Sequence, residues 1–155
     1  DRIVVMFHGA AKQIGVPSEI YAKPVSKQVA DFIGLTNFID ATVISKTKTK
    51  YYTLETKIGT ILCKYEKKIK KGEKVVVAVR PESLSLHKER ENRVDMNFVP
   101  GTIKERSYLG NIYDYKIVCS DTSIIRIQEE PWKYFDTGEK VWFSFSPDHA
   151  WIIPE

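Results

Sequence analysis

Glu105, Asp114, Glu129 and Glu130 invite a catalytic reading first, because acid–base chemistry needs two carboxylates within reach of one bond. None of the four has a partner that the sequence identifies, and acids in a strand-rich chain are usually surface residues, so catalysis is not expected of them. His8, His87 and His149 fall in different connectors with no companion at metal-ligand spacing, which reads as solvated loop histidines. Cys63 and Cys119 sit in the strand-like runs Ile61-Leu62-Cys63 and Ile117-Val118-Cys119, as two buried free thiols in a reducing cytosol would. A glycine-rich loop ending in Lys-Ser or Lys-Thr, a Gly-x-Ser-x-Gly elbow, His-Glu-x-x-His and Cys-x-x-Cys are all missing from the 155 residues. The residues point to a module that binds or docks and does not catalyse.

The charge offers one further candidate. Lys46, Lys48, Lys50, Lys57, Lys64, Lys67, Lys68, Lys70, Lys71 and Lys74 face only Glu55, Glu66 and Glu73, within a chain of net charge +4. With Tyr51, Tyr52 and Tyr65 as stacking platforms, such a field is able to follow a phosphate backbone. Arginine, the better reader of bases, is absent from the stretch, so the lysines read as the solvent side of strands, guarding their edges. Nucleic acid is not an expected partner.

The elements that position these residues are written twice. Gly72-Glu73-Lys74-Val75-Val76-Val77-Ala78-Val79-Arg80-Pro81-Glu82 returns as Gly138-Glu139-Lys140-Val141-Trp142-Phe143-Ser144-Phe145-Ser146-Pro147-Asp148. The lead-ins match too, Asn37-Phe38-Ile39 against Asn97-Phe98-Val99, with the second copy six residues longer between landmarks (97 to 138 against 37 to 72). Such a repeat marks a supersecondary unit used twice. We place the divergence around Pro131-Trp132-Lys133-Tyr134-Phe135.

Ahead of the repeats, residues 3–15 read as a hairpin turning at Phe7-His8-Gly9. Pro17 opens a short helix that Val16 cannot cap, and Ser26 caps a second helix with the stripe Val29, Ala30, Phe32, Ile33 and a stop at Gly34. From Asn37 the period becomes two: Tyr52, Leu54 and Thr56 alternate with polar neighbours, and glycines punctuate the runs. Ser83–Met96 is the least apolar stretch and reads as a solvated connector. Hydrophobic residues make up 43% of the chain and no run approaches the roughly 20 needed to span a bilayer. The start at Asp1-Arg2, followed by a strand-like run, is neither a signal peptide nor a natural beginning, and suggests a piece of something longer.

The segments Asp1–Met6, Gln13–Tyr21, Pro24 and Val29–Gly34 resemble the end of the ATPase subunit of ABC importers, in the group serving maltose, polyamines, ferric iron and molybdate. Gly34-Leu35-Thr36-Asn37-Phe38, Arg80-Pro81-Glu82, Gly101-Thr102-Ile103 and Ser107-Tyr108-Leu109-Gly110 extend the likeness over essentially the whole chain, with Ala10-Ala11 and Val16 as departures. The resemblance implies a mainly β fold: tandem OB-like (TOBE) barrel halves after a short hairpin and two short helices. The implied divisions are 1–36 for the end of the nucleotide-binding domain, 37–86 and 97–155 for the barrels, and 87–96 for a linker. It also implies that ATP and Mg are held by the parent subunit, with no cofactor or metal in this segment. The implied partners are a second copy in a homodimer and the transmembrane permease subunits, on the inner face of the membrane in the cytoplasm. Trp132, Tyr134, Phe135 and Trp151 are the candidate dimer or regulatory surface, and Arg80 with Glu82 a pair bracing the turn after a strand. The form of Ser107–Asn111 and Tyr113–Tyr115 favours a polyamine or ferric-iron importer. An oxyanion or small-ligand sensing barrel is the alternative.

Overall fold

A period of two that starts at Asn37 and continues to the end of the chain builds sheets, and the helical period ahead of it builds their lid. The computed structural model describes residues 1–47 and 50–155; Lys48 of the lysine-rich stretch lies outside them. β1 (Ile3–Phe7) and β2 (Ala10–Gly15) form the expected hairpin. His8 and Gly9 both take positive φ, 50° and 78°, as a tight turn matching the twist of two strands requires. α1 (Pro17–Ala22) starts without a side-chain cap, whereas in α2 (Lys27–Ile33) Ser26 Oγ accepts from the Val29 amide at 3.2 Å. Ile20 and Val29 bury against Val5, and Ala30 on α2 buries against Val76, Ala78 and Ile153 of the first sheet.

Among the described residues, the rest is ten strands in two five-stranded sheets: β3 (Asn37–Lys46), β4 (Tyr51–Thr56), β5 (Gly59–Lys64), β6 (Lys74–Val79), β7 (Ser85–His87), β8 (Asn97–Tyr108), β9 (Tyr113–Val118), β10 (Ile124–Glu129), β11 (Lys140–Phe145) and β12 (Ala150–Pro154). The orders are β12-β6-β3-β4-β5 and β10-β9-β8-β11-β7. Each copy of the repeat therefore lends its last strand to the other sheet. After β6, a 3-10 turn at Pro81–Ser83 carries the chain across to pair β7 with β11; after β11, the turn at Pro147–His149 carries it back to pair β12 with β6. The connector is shorter than the low apolar content of Ser83–Met96 suggests. Leu84 and Leu86 are buried and His87 ends β7, so the exposed part begins at Lys88.

The two copies agree in detail. β3 and β8 both bulge, after Val43 and after Ile103. Gly72 and Gly138 have φ of 87° and 86°, and their amides reach the Val43 and Ile103 carbonyls at 2.8 Å in each case. Tyr52 Oη donates to the Lys67 carbonyl (3.0 Å) and accepts from the Ile69 amide (3.4 Å), while Tyr115 Oη does the same with Lys133 and Phe135 (both 3.1 Å). The spacing of equivalent residues grows stepwise, from 60 at Val43 and Ile103 to 63 at Tyr52 and Tyr115, 64 at Cys63 and Ile127, and 66 at Lys67 and Lys133. The six extra residues are thus spread over the β8–β9 hairpin, the β9–β10 turn and the approach to Lys133, and are not gathered at 131–135.

A reciprocal clasp joins the sheets. Asn37 Nδ2 donates to the Arg126 carbonyl and its Oδ1 accepts from the Arg126 amide, both at 2.8 Å. Asn97 does the same to Leu62, at 2.8 and 2.7 Å. Each amide side chain, buried to 6% exposure, occupies the place of a neighbouring strand at the edge of the opposite sheet. Side chains from both sheets, among them Tyr52, Leu54, Val77, Tyr115, Ile127 and Phe143, form one continuous core.

Candidate functional site at the junction of helices and barrels

Arg80 follows β6, and its side chain runs back beneath the two helices, 7% exposed. Nη1 donates to the carbonyls of Ala30 (3.0 Å), Gly34 (2.7 Å) and Leu35 (3.2 Å) and to Thr36 Oγ1; Nη2 donates to the Tyr21 carbonyl at 3.0 Å. The final carbonyls of a helix lack partners within it and carry its negative end, so a guanidinium there satisfies both needs. The Arg80 guanidinium also stacks 4.1 Å from the Tyr21 ring centroid, and the Tyr21 hydroxyl donates to Glu82. Arg80 and Glu82, expected to pair across their own turn, are joined through Tyr21 instead, because the arginine's donors are taken by carbonyls. Burial lowers the pKa of Arg80 against the opposing pull of Tyr21 and Glu82, and burial followed by Glu82 raises that of Tyr21. The arginine stays charged and the tyrosine stays a donor. This cluster has no free nucleophile or base; its chemistry is that of a staple between two units.

The four aromatic candidates are not brought together. Trp132 and Tyr134 are exposed, 77% and 48%. Phe135 is not on the surface: it plugs the second barrel edge-on to Tyr115, with ring centroids 6.0 Å apart. Trp151 is half-buried at the junction, where its Nε1 donates to the Pro24 carbonyl at 3.0 Å and Lys23 Nζ lies 5.6 Å from its ring. Sequence reasoning missed the neighbours of Tyr134. The Arg106 guanidinium lies 4.2 Å from its ring, Tyr113 lies 5.9 Å away, and Tyr108 is 5.1 Å beyond that. The β8–β9 register, with Tyr108 opposite Tyr113, is the signal that gathers them.

Tyr52 and Tyr65 are buried, which removes two of the three stacking platforms beside the lysines, and Tyr51 donates to Asp148 at 3.0 Å. Both cysteines are buried; burial pushes the Cys119 thiol up to about 11 and the Cys63 thiol higher, so neither is a ready nucleophile. His87 departs from the expected solvated loop residue. Its Nε2 is 2.7 Å from Ser144 Oγ and its Nδ1 3.3 Å from Glu91. The order hydroxyl–imidazole–carboxylate is that of a hydrolase, but Ser144 is 2% exposed and out of reach of an acyl group. Among the described residues no group of three His, Cys, Asp or Glu is poised to hold a metal, and no helix is long and apolar enough to cross a membrane.

Strand-exchanged barrels stapled to a small hairpin-and-helix unit define a class. The family description "TOBE domain" matches residues 77–153. Over 99% of its length the chain is similar to proteins described as "Spermidine/putrescine import ATP-binding protein PotA". The relative from Ruegeria pomeroyi is 35% identical, with 41% of its own length covered. The one from Protochlamydia amoebophila is 34% identical with 43% covered, and that from Thermotoga maritima 28% with 44% covered. The chain spans less than half the length of these relatives. In fold it is similar to the cytoplasmic molybdate-binding protein ModG, with a TM-score of 0.69 at 13% identity over 76% of this chain and 96% of that one.

Proposed function

We propose that this chain is the regulatory C-terminal region of the ATP-binding subunit of an ABC importer of the polyamine type. In this reading residues 1–36 close a nucleotide-binding domain that binds ATP with Mg and hydrolyses it. Ile3, Val4, Met6, Ile14 and Phe32, exposed on the hairpin and α2, are where the body of that domain packs. The barrels of two subunits hold the homodimer together while the nucleotide sites open, and the permease subunits keep the assembly at the inner face of the membrane.

The observation that carries the reading is the Arg80 staple. It links the end of β6 to the ends of α1 and α2, so a displacement of the N-terminal unit is passed to the barrels. Deleting residues 37–155 from the full-length subunit is expected to leave ATP binding in place and to lower ATP-dependent polyamine uptake about tenfold or more. Arg80→Met is expected to give a partial loss. Uptake by reconstituted importer that is unchanged in both variants would overturn the proposal.

A further inference from the structure

Beside the staple, between α1 and the first sheet, lies a cleft of about 260 Å³. One wall is Tyr21 to Pro24 at the end of α1; the other is Ala78, Ala150 and Trp151 on β6 and β12. We propose that this cleft binds a small planar organic anion, a single ring carrying a carboxylate or phosphate.

Three observations select that class. The rings that flank the space are fixed in advance: Trp151 is pinned through Nε1 to Pro24 and packs against Tyr65 at 5.1 Å, and Tyr21 is held between Arg80 and Glu82. Ala78, paired with Trp151 on the sheet side, leaves open a slot that a larger side chain would fill, and its volume is below that of drug-sized sites.

The charges then set the sign. Lys23 has no carboxylate partner within 4 Å among the described residues. Lys64 is 3.7 Å from Asp148, whose same oxygen also takes the Tyr51 hydroxyl, and Glu66 turns toward Lys50 at 3.6 Å. With Arg80 behind them, the lining holds three cations, Lys23, Lys64 and Arg80, against two carboxylates, Glu66 and Asp148, and the one cation left without a carboxylate, Lys23, favours an anion there. Finally, the two walls belong to different units, so an occupant bridges helix and barrel. That regulatory meaning rests on the reading above; the binding does not.

The test follows the indole N–H resonance of Trp151 in the ¹⁵N-labelled chain, assigned with Trp151→Phe, during titration with benzoate, phenyl phosphate, benzamidine and molybdate. A saturable shift with the two ring anions and none with benzamidine is expected. Lys23→Glu, at an exposed position, is expected to weaken benzoate about fivefold or more with the folded spectrum retained. Ala78→Leu is expected to abolish the shift by filling the slot. Silence toward both ring anions at millimolar concentration, binding of benzamidine as tight as that of benzoate, or binding indifferent to Lys23→Glu would overturn the site. Molybdate binding as tight as phenyl phosphate would overturn the requirement for a ring. Loss of this site with polyamine uptake still dependent on residues 37–155 would leave the regulatory reading standing.

Discussion

Between β5 and the glycine turn, the first barrel carries Glu66-Lys67-Lys68-Ile69-Lys70-Lys71; at the equivalent places the second carries Trp132-Lys133-Tyr134-Phe135-Asp136-Thr137. The backbone path is the same, set by one tyrosine hydroxyl and one glycine in the left-handed region. What closes a barrel is therefore only the tyrosine, the glycine and a single apolar plug, Ile69 or Phe135. The remaining positions are free to differ, and they differ in kind: lysines in one barrel, exposed aromatics and an acid in the other. Closure is shared by the two barrels, and surface identity is not.

The strongest way to break this comparison is to remove the plugs. Phe135→Ala is expected to cost about 3–5 kcal/mol, as large-to-small core changes do, and Ile69→Ala, at a partly exposed site, about 1–2 kcal/mol. Equal losses in urea unfolding would contradict the difference in size and burial between the two plugs. Next come the clasps. Asn37→Ala and Asn97→Ala each leave one amide and one carbonyl of an edge strand without a partner, and each is expected to cost about 1–3 kcal/mol. Here the comparison requires near-identical losses, so a clear inequality by calorimetry would contradict the two-fold relation.

The smallest effect separates the barrels by pH. His87 in the second sheet occupies the place of Ile153 in the first, as the pairings of β7 with β11 and of β12 with β6 show. Burial, the largest influence, lowers the His87 pKa, with Glu91 and Glu129 pulling upward and Lys133 and Arg93 downward. Between the lowered folded value and the ordinary one near 6.5, the unfolded chain holds the proton and the folded chain does not. Stability is therefore complete above that range and falls as pH drops through it, levelling off below the folded pKa. Thermal unfolding from pH 7.5 to 5 is expected to show this slope in the parent chain and a flatter one in His87→Gln; an unchanged slope would remove His87 as its source.

Local signals carried much of the fold into view. His8-Gly9, Pro17 and Ser26 act through their own backbone, and the hairpin and both helices follow from them. The duplicated phrase likewise announced two sheets. The strand exchange was hidden because Ser85-Leu86-His87 and Ala150–Pro154 look alike in pattern whichever sheet they join. Asn37 and Asn97 stood in the lead-ins as part of a repeat, but an asparagine that imitates a strand cannot be told from a turn residue without its partner 35 or 89 positions away. At the junction, Arg80 was visible as a residue type and its role was not, since its acceptors are carbonyls, which every sequence possesses.

The exchange of strands also sets a clock on synthesis. β6 is complete once Val79 is made, but its outer neighbour in the sheet, Ala150–Pro154, is translated about 70 residues later. At roughly 5–20 residues per second, the edge Val75-Val76-Val77-Ala78-Val79 stands open for several seconds in every newborn chain. A valine-rich edge in that state is a template for any other strand. The lysines from 64 to 74 immediately precede it in the chain, and like charge keeps one nascent copy from another during the interval in which the sheet cannot yet close itself.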